Sequence, residues 1–203
     1  GTRILSQVID LDPEHVEIGT PLEVTFEEVE PPETPGGEGW KLPLFRAVRV
    51  PRREATLGFD EVAVGDRLPP CPIPITTTRI VACAIASRDY QDVHHDRELA
   101  IRRGSPDIFM NILTSNGLTG RYVTDWAGPE ARMRNLRIRL GAPNYPGDCM
   151  TMYGEVTAKE PEGDGGVVTV KIRGANRLGH HVTGTVDLAL PASGSAASGG
   201  AGR

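Results

Sequence analysis

Apolar and polar side chains alternate along the first fifty residues. Leu22, Val24 and Phe26 alternate with charged or hydroxyl side chains over residues 21–29, which predicts a strand with these three residues on its buried face. Two more short strands are predicted over residues 4–11 and 42–50. Three short strands cannot bury a core of their own, so we expect this segment to be part of a larger fold.

A different pattern begins at residue 57. The hydroxyls of residues 76–78 predict the start of a short helix over residues 79–86. The stretch from Asp107 to Gly128 repeats apolar side chains near helical spacing, with Asp107 at the N-cap position and Gly128-Pro129 at the end. The period then returns to two, which predicts four consecutive strands: one around residues 136–140, then 149–157, 167–175 and 181–190.

One long apolar helix followed by four antiparallel strands predicts an α+β fold in which a curved sheet wraps round the helix. This arrangement is the hotdog architecture, and we expect it over residues 57–190. A single hotdog leaves a sheet edge exposed, so an oligomer is predicted. Residues 191–203 are rich in Ala, Ser and Gly and contain no large apolar side chain. They are predicted to form a disordered tail.

Composition and charge narrow the function classes. The 203 residues carry a formal net charge of −5, and the acidic excess lies in residues 1–39, which hold ten acidic side chains and one basic one. Nucleic-acid binding through a basic surface is therefore not expected. No apolar run is long enough to span a membrane and the first residues lack a signal peptide, so we expect a cytoplasmic protein without membrane contact. Three cysteines fit no zinc ribbon and indicate a reducing compartment.

Chemically active side chains concentrate in the loop between the two predicted helices. Residues 87–96 read SRDYQDVHHD and contain three carboxylates and two imidazoles. Asp89 and His94, five residues apart, can hold one water molecule and share the acid and base roles. The start of the long helix, at residues 108–111, offers backbone N–H groups to a developing enolate oxygen. Together these features indicate hydration of a double bond conjugated to a carbonyl, with the acid and the base not distinguished.

Three other interpretations of this loop stay open. A polar loop is often only a solvated connection between helices. Asp89, His94, His95 and Asp96 carry groups that ligate divalent metals, although such sites usually take their ligands from separate rigid elements, and no metal is predicted. Ser87 could belong to a hydrolase, but it lacks the Gly-x-Ser-x-Gly turn of such a nucleophile.

The stretch SRDYQDVHHDRELAIRRG resembles the active-site signature of the MaoC-like (R)-specific enoyl-CoA hydratases. That signature runs Ser-Gly-Asp, any residue, Asn, Pro, a branched apolar residue and His. Asp89 and His94 fall on its catalytic Asp and His, while Arg88, Gln91 and Asp92 replace its Gly, Asn and Pro. QDVHHD, DIFMNILTSNGL, GRYVTDWAGP and RLGAP are most similar to one branch, the small single-hotdog subunit of actinobacterial steroid side-chain hydratases.

This resemblance, which covers about residues 68–190, implies an activity. Members of the family are lyases that add water across the 2,3 double bond of an unsaturated acyl-CoA, with coenzyme A as the carrier and without a cofactor. In the branch, the acyl group is a shortened steroid side chain from sterol degradation. The catalytic subunit pairs there with a different hotdog subunit.

The resemblance also implies roles for individual residues. Asp89 and His94 would be catalytic, and the backbone N–H groups of Met110 and Asn111, which replace the family's usual His-Gly, would bind the thioester oxygen. The candidate substrate-binding residues are Gln91, His95 and Arg139. Arginines of residues 132–139 would form a basic rim for the phosphates of coenzyme A.

Residues 1–50 resemble a second family. VIDLDPEHVEIGTPLEVTFEEVE followed by LPLFRAV is similar to the C-terminal half of the OB-fold in zinc-ribbon/OB proteins of acyl-CoA metabolism. The resemblance implies a partial OB-fold-like segment, which in the steroid system docks the hydratase onto a thiolase-like aldolase. Two rival functions are a non-catalytic assembly subunit of hotdog and OB segments and a hotdog thioesterase.

Overall fold

The computed structural model describes residues 8–9, 22–29, 40–47 and 52–193. The chain divides into two compact units, residues 1–49 and residues 50–203. The described part of the first unit is a three-stranded sheet in the order β1-β3-β2, in which β3 pairs parallel with β1 and antiparallel with β2. Its strands are β1 (Val8–Ile9), β2 (Leu22–Val29) and β3 (Trp40–Ala47).

Strand β2 forms where the alternation predicts it, but its apolar face is not buried as expected. Val24 is 53% exposed and Phe26 is 63% exposed, whereas Leu44 on β3 is buried. The prediction of a buried position for Val24 and Phe26 is wrong, because the described strands of this unit form a single sheet with no second layer over that face. Of the predicted strand over residues 4–11, the structure describes only Val8–Ile9. The OB-fold resemblance stays a prediction.

The second unit is a five-stranded antiparallel sheet in the order β4-β6-β7-β8-β5, packed against one long helix. Its strands are β4 (Arg67–Pro74), β5 (Arg132–Leu140), β6 (Cys149–Glu162), β7 (Gly165–Asn176) and β8 (Gly179–Leu190). Its helices are α1 (Thr77–Ala86), α2 (Arg97–Arg102) and α3 (Ile112–Ala127). This confirms the predicted α+β hotdog fold.

One face of α3 supplies the helical part of the core. Tyr122, Val123 and Trp126 are buried, and they belong to the same apolar cluster as Met150 and Met152 on β6. Every second residue is buried from Met150 to Val156 on β6 and from Gly166 to Gly174 on β7, which is the two-residue period expected of strands with one covered face. The core therefore lies between α3 and the concave face of the sheet.

Strand β4 was not predicted from the sequence. It reads RLPPCPIP and has four prolines in eight residues, which normally argues against a strand. The prolines are tolerated because β4 is an edge strand that pairs only with β6, and its register shifts between Leu68 and Cys71. A proline N atom cannot donate to a neighbouring strand, and an edge strand needs half as many such donors.

Helix α3 begins later than predicted. The predicted N-cap, Asp107, instead forms an ion pair with Arg97 at 3.2 Å. The observed N-cap is Asn111, whose side-chain oxygen accepts from the N–H of Thr114 at 3.0 Å. The predicted end is confirmed, since Gly128 is the C-cap with φ of 102°.

Residues 194–203, which make up most of the predicted tail, lie outside the described residues. Among the helices described, none has the length and apolar character needed to cross a membrane.

Candidate active site

Two tight turns bring Asp89 and His94 together. Arg88, which follows the C-cap residue Ser87 of α1, has φ of 57°. This left-handed conformation turns the chain so that the N–H of Asp89 donates to the carbonyl of Ala84 at 2.9 Å. A single turn of 3-10 helix at Asp92–His94 then folds the loop back. As a result, Oδ2 of Asp89 lies 3.4 Å from Nε2 of His94. The pairing predicted from the sequence is present.

The backbone of Phe109 sets the tautomer of His94. Nδ1 of His94 lies 2.7 Å from the carbonyl oxygen of Phe109, and because a carbonyl can only accept, Nδ1 must carry a proton. In the neutral ring, Nε2 then presents its lone pair toward Asp89. The separation of 3.4 Å exceeds the usual 2.7–3.2 Å of a direct N–H···O bond. The pair therefore presents two acceptor atoms side by side.

The three carboxylates of the loop have different partners. Asp92 forms an ion pair with Arg103 at 2.9 Å, and Asp96 caps α2 by accepting from the N–H of Leu99 at 2.9 Å. Only Asp89 of the three faces an imidazole. Among the described residues, no group of three His, Cys, Asp or Glu side chains has the arrangement of a metal site.

Asn111 connects the start of α3 to this pair. Its side-chain N–H₂ donates to Oγ of Ser87 at 2.9 Å and to Oδ2 of Asp89 at 3.1 Å. Its side-chain oxygen accepts from both the N–H and the hydroxyl of Thr114. The residue is 2% exposed, so the helix cap and the carboxylate contact are made in a buried position.

The backbone donors at the start of α3 differ from the prediction in one respect. The N–H of Met110 donates to the carbonyl of Asn144 at 3.0 Å, so this donor already has a partner within the chain, and binding of a thioester oxygen by Met110 stays a prediction that this contact opposes. No acceptor among the described residues takes the N–H of Asn111. The first helical N–H groups, at Ile112 and Leu113, have no acceptor within the helix either. This helix end keeps donors for a negatively charged oxygen.

The predicted substrate-binding residues lie at different places. Gln91 is exposed beside the pair, and its N–H approaches Oδ1 of Asp89 at 3.4 Å. His95 is also exposed, with Nε2 3.3 Å from the carbonyl of Tyr90. Arg139 is exposed on the edge strand β5, on the face opposite its core-facing neighbours. The structure does not bring Arg139 to the Asp89–His94 pair, and substrate binding by all three residues stays a prediction.

Sequence reasoning missed the side chain of Asn111, which it considered only for its backbone. A signal for the cap was present, since Asn is a preferred N-cap residue. The contact from Asn111 to Asp89 spans 22 residues, and no local pattern reports such a contact.

No family model matches the sequence. Over 127 residues, however, the chain is 52% identical to the 3-oxo-4,17-pregnadiene-20-carboxyl-CoA hydratase beta subunit of Mycobacterium tuberculosis, a match that spans 63% of this chain and 95% of that protein. The chain belongs to the MaoC-like hydratase family. It is therefore an enzyme, a hydratase of the lyase class.

Solved structures agree with this membership. A chain of the ChsH1–ChsH2 complex from M. tuberculosis is 50% identical to this hydratase, with a TM-score of 0.60 over 64% of this chain and 98% of that chain. The R-hydratase PhaJ1 from Pseudomonas aeruginosa is 21% identical, with a TM-score of 0.61 over 73% of this chain and 96% of its own. At that identity, the second similarity supports the fold alone.

Proposed function

We propose that this MaoC-like hydratase adds water across the 2,3 double bond of a 2-enoyl-CoA, with Asp89 and His94 as its catalytic residues. The observation that carries the proposal is the pair of acceptor atoms, Oδ2 of Asp89 and Nε2 of His94, 3.4 Å apart. A water molecule in front of them can donate one hydrogen to each. Its oxygen lone pair then points away from the pair, toward a bound alkene.

The proposed reaction balances without a cofactor. The water oxygen bonds to the β carbon while one water proton passes to the pair, and the alkene electrons move to the thioester oxygen as an enolate. Backbone N–H groups at the start of α3, including that of Asn111, would stabilise that oxygen. The pair then returns a proton to the α carbon, so that H and OH are added overall.

We propose that the acyl group is a steroid side chain. The support is the relative at 52% identity, whose name specifies a 3-oxo-4,17-pregnadiene-20-carboxyl-CoA hydratase. A 17-ene next to a 20-carboxyl thioester is an alkene conjugated to a carbonyl, so its hydration requires the chemistry argued for Asp89 and His94.

We also propose that a second, different hotdog subunit completes the enzyme. Ile112 and Leu113, in the first turn of α3, are 49% and 47% exposed, and Met133 on the edge strand β5 is 46% exposed. Exposed apolar side chains and an open sheet edge are both typical of a protein interface. The similar M. tuberculosis chain comes from a complex of two named proteins. Docking of a thiolase-like aldolase on residues 1–50 stays a proposal that rests on the OB-fold resemblance.

The catalytic assignment is tested with three variants in one loop. Asp89→Asn and His94→Ala should each lower the rate of loss of enoyl absorbance by about 10²–10⁴-fold. Asp92→Asn is the matched control, because Asp92 pairs with Arg103 rather than with an imidazole, and it should keep near-normal turnover. Unchanged turnover in Asp89→Asn would refute the assignment, and release of free thiol in place of hydration would identify a thioesterase.

Substrate and assembly need separate measurements. Short, long and steroid enoyl-CoA esters should be compared by kcat/KM, and a preference for a straight-chain ester over the steroid ester would contradict the steroid proposal. Light scattering after size exclusion should show a larger species when the second subunit is co-expressed. A catalytically competent monomer would contradict the proposed assembly.

A further inference from the structure

We propose that Asn111 is a positioning residue: its side-chain amide aims the carboxylate of Asp89 at the reacting water, separately from its role as the cap of α3. This inference rests on the proposed function, since it assigns a task within the same site. It deepens that function by naming the group that sets the geometry of the Asp89–His94 pair.

The hydrogen bonds of Asn111 use its whole side chain. Both amide hydrogens have acceptors, Oγ of Ser87 at 2.9 Å and Oδ2 of Asp89 at 3.1 Å. Both lone pairs of its oxygen have donors, the N–H and the hydroxyl of Thr114. Because the side chain is buried, each lost contact would leave a polar group without compensation from water.

Thr114 and Asp89 together determine which way the amide points. Turned by 180°, the amide would place its N–H₂ group against the N–H of Thr114 and its oxygen against the carboxylate of Asp89. Both contacts would then be repulsive, donor against donor and acceptor against acceptor. The amide of Asn111 is therefore held with its donor toward Asp89.

The other contacts of the Asp89 carboxylate are longer. Among the described residues, the N–H of Gln91 approaches Oδ1 at 3.4 Å and Nε2 of His94 lies 3.4 Å from Oδ2. The contact from Asn111 is shorter than both and reaches the same oxygen, Oδ2, that faces His94. Asn111 is thus the group that restrains the reacting oxygen.

The same residue also places the proposed oxyanion donor. The backbone N–H of Asn111 belongs to the cap of α3, while its side chain holds Asp89. One residue therefore fixes the separation between the group that activates water and the group that binds the thioester oxygen. A misplacement of about 1 Å in such an arrangement can lower a rate by about 100-fold.

The two roles of Asn111 are separated by substitution in the full chain. Asn111→Ser keeps an N-cap hydroxyl, which is as good a cap as Asn, but is too short to reach Asp89. Asn111→Asp keeps the capping oxygen and replaces the donor with an acceptor. With a 2-enoyl-CoA ester, both variants should lower kcat by about 10–100-fold and leave KM within about twofold. Thr76→Ala is the control, because it removes the cap of α1 and should lower the melting temperature without lowering kcat.

A double-mutant cycle tests whether Asn111 acts through Asp89. In an Asp89→Asn background, adding Asn111→Ser should change the residual kcat by less than about twofold, because the carboxylate to be aimed is already gone. A normal kcat in Asn111→Ser would overturn the inference, as would a loss of the same size in both backgrounds. All kcat values are measured with the second subunit co-expressed. If the wild-type assembly does not hydrate enoyl-CoA at all, the proposed function fails instead, so the two failures are distinguishable.

Discussion

The carbonyl oxygen of Phe109 accepts from Nδ1 of His94 at 2.7 Å, and the two rings meet edge to face with their centroids 5.1 Å apart. This relationship fixes which ring nitrogen of His94 faces Asp89. Because it uses a backbone atom, it does not depend on the identity of the side chain at position 109.

The tautomer of His94 is directly measurable. Nitrogen NMR of the neutral ring should show the proton on Nδ1 and a lone pair on Nε2, and Phe109→Leu should keep this pattern because the carbonyl remains. The exposed ring of His180 serves as the internal reference, with a mixture of both tautomers. A proton on Nε2 of neutral His94 would contradict the proposed arrangement for holding water.

Arg88 occupies a position where glycine is the better residue. Its φ of 57° costs a side-chain-bearing residue about 1–2 kcal/mol, whereas glycine adopts it freely. Replacing Arg88 with glycine removes this cost, but the greater conformational freedom of glycine in the unfolded chain offsets about 0.4–1 kcal/mol of the stability gained. We expect Arg88→Gly to raise the free energy of unfolding by up to about 1 kcal/mol in urea denaturation.

The control for this change is Arg121→Gly, which places glycine within α3. It should lower the free energy of unfolding by about 1 kcal/mol, since glycine is a poor helix former. Equal destabilisation by both substitutions would show that the turn at Arg88 carries no strain.

The sequence predicted those parts of the fold that local patterns determine. Strands β5 to β8 each have one covered face, so the alternation of their side chains was sufficient. The contact between Asp89 and His94 could be predicted because the two residues lie only five positions apart in one loop. Strand β4 was missed because its prolines contradict the usual signal, and only its position at the sheet edge makes them tolerable.

Contacts between residues far apart in the chain could not be predicted from local sequence patterns. From the sequence, the N–H of Met110 is expected to be free at the start of the helix. In the structure it donates to the carbonyl of Asn144, which lies 34 residues later in the chain. The start of α3 was placed at Asp107 because both Asp107 and Asn111 are acceptable caps. In the structure Asp107 pairs with Arg97 and Asn111 caps the helix, and both contacts involve tertiary surroundings that the local sequence does not report.

A glycine within α3 and the glycine that caps its C-terminal end should respond oppositely to alanine. Gly117 lies in the helix with no atom within 4 Å of an added Cβ, so Gly117→Ala should raise the free energy of unfolding by about 0.5–1 kcal/mol. Gly128 has φ of 102°, and an added Cβ would lie 2.5 Å from Cα of Thr56. Gly128→Ala should lower that free energy by about 2–4 kcal/mol. Similar values for the two variants, measured by thermal unfolding, would contradict this packing.

A buried histidine behind the site should make the fold sensitive to acid. His181 on β8 is 2% exposed; its Nδ1 lies 2.7 Å from the carbonyl of Ala142, and its Nε2 lies 2.8 Å from Oγ of Ser115 in α3. Nδ1 therefore carries the proton, and the hydroxyl of Ser115 donates to Nε2. Protonation of Nε2 would remove this acceptor and place a charge in the core.

Burial lowers the pKa of His181 below its usual 6.5, although the carbonyl of Ala142 and the charge of Asp148 act in the opposite direction. The unfolded chain then binds a proton more readily than the folded one, so the free energy of unfolding should be constant above about pH 6.5 and fall below it. One proton limits this slope to about 1.4 kcal/mol per pH unit. The side chain in His181→Gln can still donate to Ala142 and accept from Ser115 but cannot be protonated. In this variant the free energy of unfolding should therefore decrease less steeply below about pH 6.5. His180→Gln, a change at the exposed neighbouring position, should leave the slope unaltered. An unchanged slope in His181→Gln would mean that other groups cause the acid sensitivity.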